Sequence, residues 1–289
     1  MLADQSASRF SVGIPALVED LSADAEARGW AGSVADLVRA ARLKHDLALA
    51  RASEDRFEEA SQLADGVIRI YRSLARRRPA RFEPELATTL IASGLWSSRL
   101  KRGQQAAAAL TEAVALHRTL LDRGGLPRPM RQLRLRVGLA VALTNLGSAL
   151  SELGQHVAAT EAAEESVQVL RGLYDHSPLY RLLSRQDPLG FERCLAGALN
   201  NLGLILAERG DRDRAWQTAR DTAELYRRLA AEAPVAFEAE LARALHNLGL
   251  AAAEIGDAPG ALGATREAVY LHRSLLGIDR ADYCLHLGR

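Results

Sequence analysis

The strongest constraint on this chain is internal: residues 79–121 recur as residues 234–276 without a gap. Phe82-Glu83 returns as Phe237-Glu238, Glu85-Leu86-Ala87 as Glu240-Leu241-Ala242, and Gly94 as Gly249. Further along, Glu112-Ala113-Val114 matches Glu267-Ala268-Val269, and Leu116-His117-Arg118 matches Leu271-His272-Arg273. Self-similarity at a fixed period marks a repeat array, in which each unit buries its apolar face against its neighbours.

Three further copies complete the series. Asn145-Leu146-Gly147, Asn201-Leu202-Gly203 and Asn247-Leu248-Gly249 share one phrase, with Gly154, Gly210 and Gly256 seven residues later. An earlier copy has Ala48 at the small-residue position and a turn near Ser53-Glu54-Asp55. The anchors 48, 94, 147, 203 and 249 are spaced by 46, 53, 56 and 46 residues. A second marker keeps the same register: Arg72, Arg118, Arg171, Arg227 and Arg273 occupy one position, each with a leucine two residues on.

Each unit reads as two helices. Leu195, Leu199, Leu202 and Leu206 lie at helical spacing and stop at Gly210-Asp211; a second helix runs from about Arg212 to Ala231. Prolines separate the units at Pro79, Pro188 and Pro234, with Pro127 and Pro129 between the second and third, and a proline suits a first helical turn. Inserted connections, 124–131 and 175–190, account for the longer spacings, the second with a short helical turn at Leu179 to Leu183. The organisation is thus an N-terminal capping segment over 1–32, with a helix beginning near Pro15, five helix-turn-helix repeats over 33–276, and a tail over 277–289. Ser33 with Asp36 three residues later resembles a helix N-cap.

Composition agrees. Aromatics are only 5%, so Ala and Leu fill the apolar positions, which suits closely packed helices. Of 37 basic residues only Lys44 and Lys101 are lysines, the mark of a GC-rich genome. A net charge of +1 argues against a general nucleic-acid binder or an anionic-membrane binder. No apolar run approaches the roughly 20 residues of a membrane-spanning helix, and the N-terminus lacks a signal-peptide pattern. Cys194 and Cys284 have neither metal spacing nor a disulfide framework, so reduced thiols and a cytoplasmic location are expected. No phosphate-binding glycine loop, nucleophile elbow or metal-type histidine pair occurs, and no cofactor is expected.

Asn-Leu-Gly, a glycine turn seven residues on, then Ala215-x3-Ala219 or Ala261-x3-Thr265 resembles the tetratricopeptide repeat over roughly residues 33–276. The period exceeds the usual 34 residues and resembles the longer units of kinesin-light-chain-like arrays and of related arrays in GC-rich bacteria. The resemblance implies an all-α fold: a right-handed α-solenoid of about five helical hairpins. It also implies a protein or peptide-binding scaffold rather than an enzyme. Ala198-Leu199-Asn200-Asn201-Leu202-Gly203 is similar to the kinesin-light-chain phrase whose first-helix asparagines line a groove and hold a peptide backbone. Units one and two depart from it, with Asp46 and Ala92 in place of the asparagine.

Geometry adds to this. A side chain two residues before the glycine lies about 200° around the helix, away from the contact the glycine allows. Glu152, Glu208 and Glu254 follow Asn145, Asn201 and Asn247 by seven residues, nearly two turns, and share their stripe. The candidate groove set in units three to five is therefore Asn145, Glu152, Asn200, Asn201, Glu208, His246, Asn247 and Glu254. Amides would offer donor and acceptor to an extended main chain, and carboxylates would favour basic side chains. The plainer alternative has the asparagines bridging neighbouring helices and the glutamates solvated. The five-fold arginine belongs to the scaffold, expected to lie over the next unit and pair with a carboxylate such as Glu83, Glu192 or Glu238. His117 and His272 share a position with Tyr71 and Tyr226 and are expected to pack. Alternative functions are a ligand-sensing regulatory module, with an exposed array end that could form a homodimer, and an enzyme using a glutamate, His246 or Tyr226 in the groove.

Overall fold

The computed structural model describes residues 33–123, 129–176 and 188–275, and among them every regular element is a helix. The chain divides into two compact units, 1–126 and 127–289. In the first, α1 (Val34–Ser53) pairs with α2 (Phe57–Arg77), and α3 (Pro79–Arg99) with α4 (Gly103–Asp122). In the second, three hairpins follow: α5 (Pro129–Glu152) with α6 (His156–His176), α7 (Pro188–Glu208) with α8 (Arg212–Glu232), and α9 (Pro234–Glu254) with α10 (Ala258–Leu275). Within each unit the second helix of one hairpin packs on the first helix of the next, the solenoid arrangement the repeats imply. The capping helix near Pro15, the turn at Leu179 to Leu183, Cys284 and the tail lie outside the described residues.

Local chemistry explains the boundaries. The side chain of Ser33 accepts from the Asp36 N–H at 3.2 Å, capping α1 as its spacing indicates. The four later first helices begin on Pro79, Pro129, Pro188 and Pro234, where the missing N–H costs nothing. All five hairpins turn on one left-handed residue: Asp55, Lys101, Gly154, Gly210 and Gly256, with φ between 59° and 83°. At each, the next N–H reaches back to a carbonyl five residues earlier, as Asp211 does to Leu206 at 2.9 Å, so the first-helix end is satisfied.

Helix α5 corrects one expectation. Met130–Glu152 is long and apolar enough to cross a membrane by length and composition, with a mean hydropathy of 1.2. Its arginines, Arg131, Arg134 and Arg136, crowd the first turns and leave the remainder nearly free of charge. Its leucines Leu135, Leu139, Leu143 and Leu146 are buried in the fold.

The anchor glycines set hairpin spacing unequally. A Cβ at Gly94 would sit 2.6 Å from Leu110 Cγ, and one at Gly249 2.7 Å from Thr265 Oγ1. At Gly203 the nearest atom, Thr218 Cγ2, is 3.6 Å away, an ordinary contact. Gly94→Ala is therefore expected to destabilise by about 1–3 kcal/mol through overpacking of the fully buried Leu110. Gly203→Ala should stabilise by about 0.5–1 kcal/mol, since alanine is the better helix former. Urea unfolding of the two variants reads the opposite signs directly. In the first unit the small residues Ala48, Ala60 and Ala64 make room for the buried Trp96.

Candidate functional site

The asparagines face away from their hairpin partners and turn toward neighbouring first helices. Asn201 Nδ2 donates to Ser148 Oγ at 3.0 Å, bridging α7 to α5. Asn247 Nδ2 donates to Asn200 Oδ1 at 3.0 Å, bridging α9 to α7. Asn145 turns back on its own helix, donating to the Val141 carbonyl at 2.9 Å. All four amides are half-buried and His246 is exposed. The last bridge uses one donor and one acceptor, and leaves Asn200 Nδ2 and Asn247 Oδ1 side by side.

The glutamates behave unequally. Glu152 is exposed. Glu208 accepts from the Ser151 hydroxyl, again across to α5. Glu254 pairs with Arg212 at 3.1 Å, both largely exposed, in an ion pair worth about 1 kcal/mol at most.

These residues converge on a cavity of about 400 Å³ in the second unit. Gly203, Ala207, Ala215, Ala219 and Thr222 form its small-residue walls between α7 and α8. Asn200 and Asn247 lie in the lining together, as do Arg212 and Glu254. The cavity exists where α8 stands off from Gly203, and it is of the size that small ligands and side chains occupy. Asn145, Glu152, Asn201, Glu208 and His246 are not part of its lining.

Leu204 and Leu250 also line it, and the sequence reading passed over them. Both are exposed, as are Leu49 and Leu95, and all four follow the small anchor residue directly. Only Ser148 breaks the row. The signal was available: a leucine beside an anchor glycine lies about 100° from the hairpin contact and cannot be buried by it.

The remaining recurrent residues serve the scaffold. Arg227 donates to Glu267 with both Nε and Nη2, at 3.1 and 2.6 Å, and Arg72 forms the same two-pronged pair with Glu112. Arg171 reaches Asp221 at 3.5 Å. The arginines thus join successive second helices, which corrects the expected partners. Glu83 is engaged instead by Arg123 at 2.5 Å. Two second helices run side by side at the arginine, whereas Glu83 sits at a first-helix start. Hydrogen bonding to Glu267 raises the Arg227 pKa.

Tyr226 is buried, and burial first, then Glu240, raises its hydroxyl pKa, so it is not poised as a base in the groove. Tyr71 is held likewise by burial and Glu85, beside a hollow of about 260 Å³ that also has His45, Thr88 and Thr89 in its walls. His117 packs as expected, whereas His272 is exposed, which corrects its reading as a packing residue. Both ring nitrogens of His117 are buried without a partner, and burial lowers its pKa. Its folded pKa lies below the unfolded one, so its contribution is complete above pH ~6.5 and is lost as pH falls below that. The urea midpoint should therefore drop between pH 7 and pH 5. His117→Leu, which copies Leu170 at the same repeat position, should flatten the drop. Among the described residues no group of three His, Cys, Asp or Glu side chains could hold a metal ion.

The tetratricopeptide repeat family model matches residues 139–177, 195–231 and 241–282, the three hairpins of the second unit. Among solved structures, BtubC (BKLC) from P. vanneervenii aligns at 18% identity over 93% of this chain and 92% of that one, with a TM-score of 0.64. A Podosopora anserina kinesin light chain with nearly identical TPR-like repeats aligns at 15% over 81% of this chain and 95% of that one, TM-score 0.55. A Rap protein complexed with Competence and Sporulation Factor aligns at 12% over 80% of this chain and 54% of that one, TM-score 0.54. No curated protein matches the chain in sequence. With hairpins matched one by one and the same fold in these structures, the chain is a tetratricopeptide-repeat protein.

Proposed function

We propose that this chain is a protein-interaction scaffold rather than an enzyme, and that the second unit seats an extended peptide on its first helices. The observation that carries the reading is the cavity beside Gly203, where apolar walls meet a convergent amide pair. An apolar peptide side chain would enter between α7 and α8, flanked by Leu204 and Leu250. The adjacent main-chain amide would meet Asn200 Nδ2 and Asn247 Oδ1, a donor and an acceptor in the order a peptide bond needs. Glu152 and Glu208 would favour a basic residue toward α5. The Rap structure, in complex with Competence and Sporulation Factor, supports the idea that this fold can seat a factor. A regulatory role, in which the peptide acts as a signal, uses the same cavity.

Selection of displayed random peptides against the whole chain tests this. The expected result is a family of sequences sharing one bulky apolar position, competing with one another for a single site. Failure to enrich any sequence, or enrichment of sequences that bind equally well when Gly203→Leu fills the cavity, would sink the reading.

A further inference from the structure

Helix α10 exposes a face that its counterparts keep buried. Val269 is 44% exposed, whereas Ile68, Val167 and Ala223 at the same repeat position are 5%, 4% and 0%. Leu275 is 45% exposed, against 2%, 3% and 0% for Leu74, Leu173 and Leu229. His272 is exposed where Tyr71, Leu170 and Tyr226 are buried. In α2, α6 and α8 this face is covered by the next first helix: α3, α7 or α9. Each covering helix opens with a phenylalanine and a leucine four residues on: Phe82 and Leu86, Phe191 and Leu195, Phe237 and Leu241. Phe82 stacks on Tyr71, ring centroids 6.5 Å apart.

Residues beyond 275 lie outside the described structure, but their sequence carries the same phrase in register. Tyr283 follows Leu275 by eight residues, the interval from Leu74 to Phe82 and from Leu229 to Phe237. Leu287 follows by twelve, the interval to Leu86 and to Leu241. We propose that Arg280–Arg289 is the occupant of this face, docking on Val269, His272 and Leu275 as the opening turns of a sixth first helix. Tyr283 takes the place of Phe82, over His272, and Leu287 takes the place of Leu86.

Three arguments favour this segment over a second copy of the chain. Only a few residues separate it from Leu275, so its effective concentration at the face is on the order of millimolar. Tyr283 and Leu287 are four apart and share one helical face, as a covering segment requires. Ten residues are too few to hold a helix alone, the limit being about 12–15, so the segment orders only when its apolar side chains are buried on α10. The cap is thereby reversible, and it decides whether this end of the array is closed.

Hydrogen exchange on the full chain, read by mass spectrometry alongside sedimentation, tests the proposal. In the wild type, amides at 269–275 should be protected in a monomer, independent of concentration. Tyr283→Asp with Leu287→Asp should speed their exchange roughly tenfold or more while α7 amides, the internal reference for folding, stay unchanged. Tyr283→Phe should retain wild-type protection. Equal exchange in wild type and the double variant overturns the proposal. So does protection that rises with concentration together with a doubled mass, because the occupant is then a second copy.

Discussion

Leu245→Ala is expected to be the most damaging single substitution, costing about 2–5 kcal/mol. Leu245 is fully buried in the second unit's main apolar cluster, among Leu199, Leu229 and Leu241. It stands four residues before Gly249, the position Leu90, Leu143 and Leu199 hold in other units, so the repeat has no spare group to fill the space. An array couples each unit only to its neighbours, so the loss should be local first. Hydrogen exchange should show α9 and α10 opening before α5 and α6, with the overall urea midpoint lowered. Simultaneous opening of all six helices would mean that the second unit behaves as one cooperative block instead.

Gly203→Leu has the second largest expected effect, and it acts on binding rather than on the fold. The cavity of about 400 Å³ has room for the added side chain, and the nearest atom to a new Cβ is 3.6 Å away. The variant should therefore melt no lower than the wild type. A peptide anchored by one apolar side chain would lose the burial of that group, about 1.5–3 kcal/mol, or roughly tenfold to a hundredfold in affinity. Titration calorimetry with a selected peptide measures this. The substitution is cleaner than removing Asn201 or Asn247, because each of those also bridges two helices and its loss would cost about 0.5–1.5 kcal/mol of stability. Unchanged affinity in Gly203→Leu, with the fold intact, would place the peptide elsewhere.

Much of this molecule was legible before any coordinates. The five-unit register, the proline starts, the turn residues and the Ser33 cap follow from local rules, because backbone geometry and one helical period determine them. The candidate site was legible only in part. Helical phase correctly turned Asn201 and Asn247 away from their hairpin partners, yet it could not say how near the neighbouring first helix would come. That distance makes them bridges to Ser148 and Asn200. The arginine partners were misjudged for the same reason, since phase names a face and not the element that lies against it.

Gly203 and Gly249 draw the line most clearly. They sit in the same tetrapeptide, Asn-Leu-Gly-Leu, so sequence alone determined the helix, its turn and the face each glycine presents. Only the tertiary structure decided that α10 closes tightly on Gly249, with the Ala261 carbonyl oxygen 3.3 Å from where a Cβ would be, while α8 stands off from Gly203 and leaves a cavity. Thr265 faces one glycine, and Thr218 and Ala219 the other, but the spacing is the joint outcome of every contact along both helices. Periodicity is a property of one helix; a cavity is a property of the distance between two.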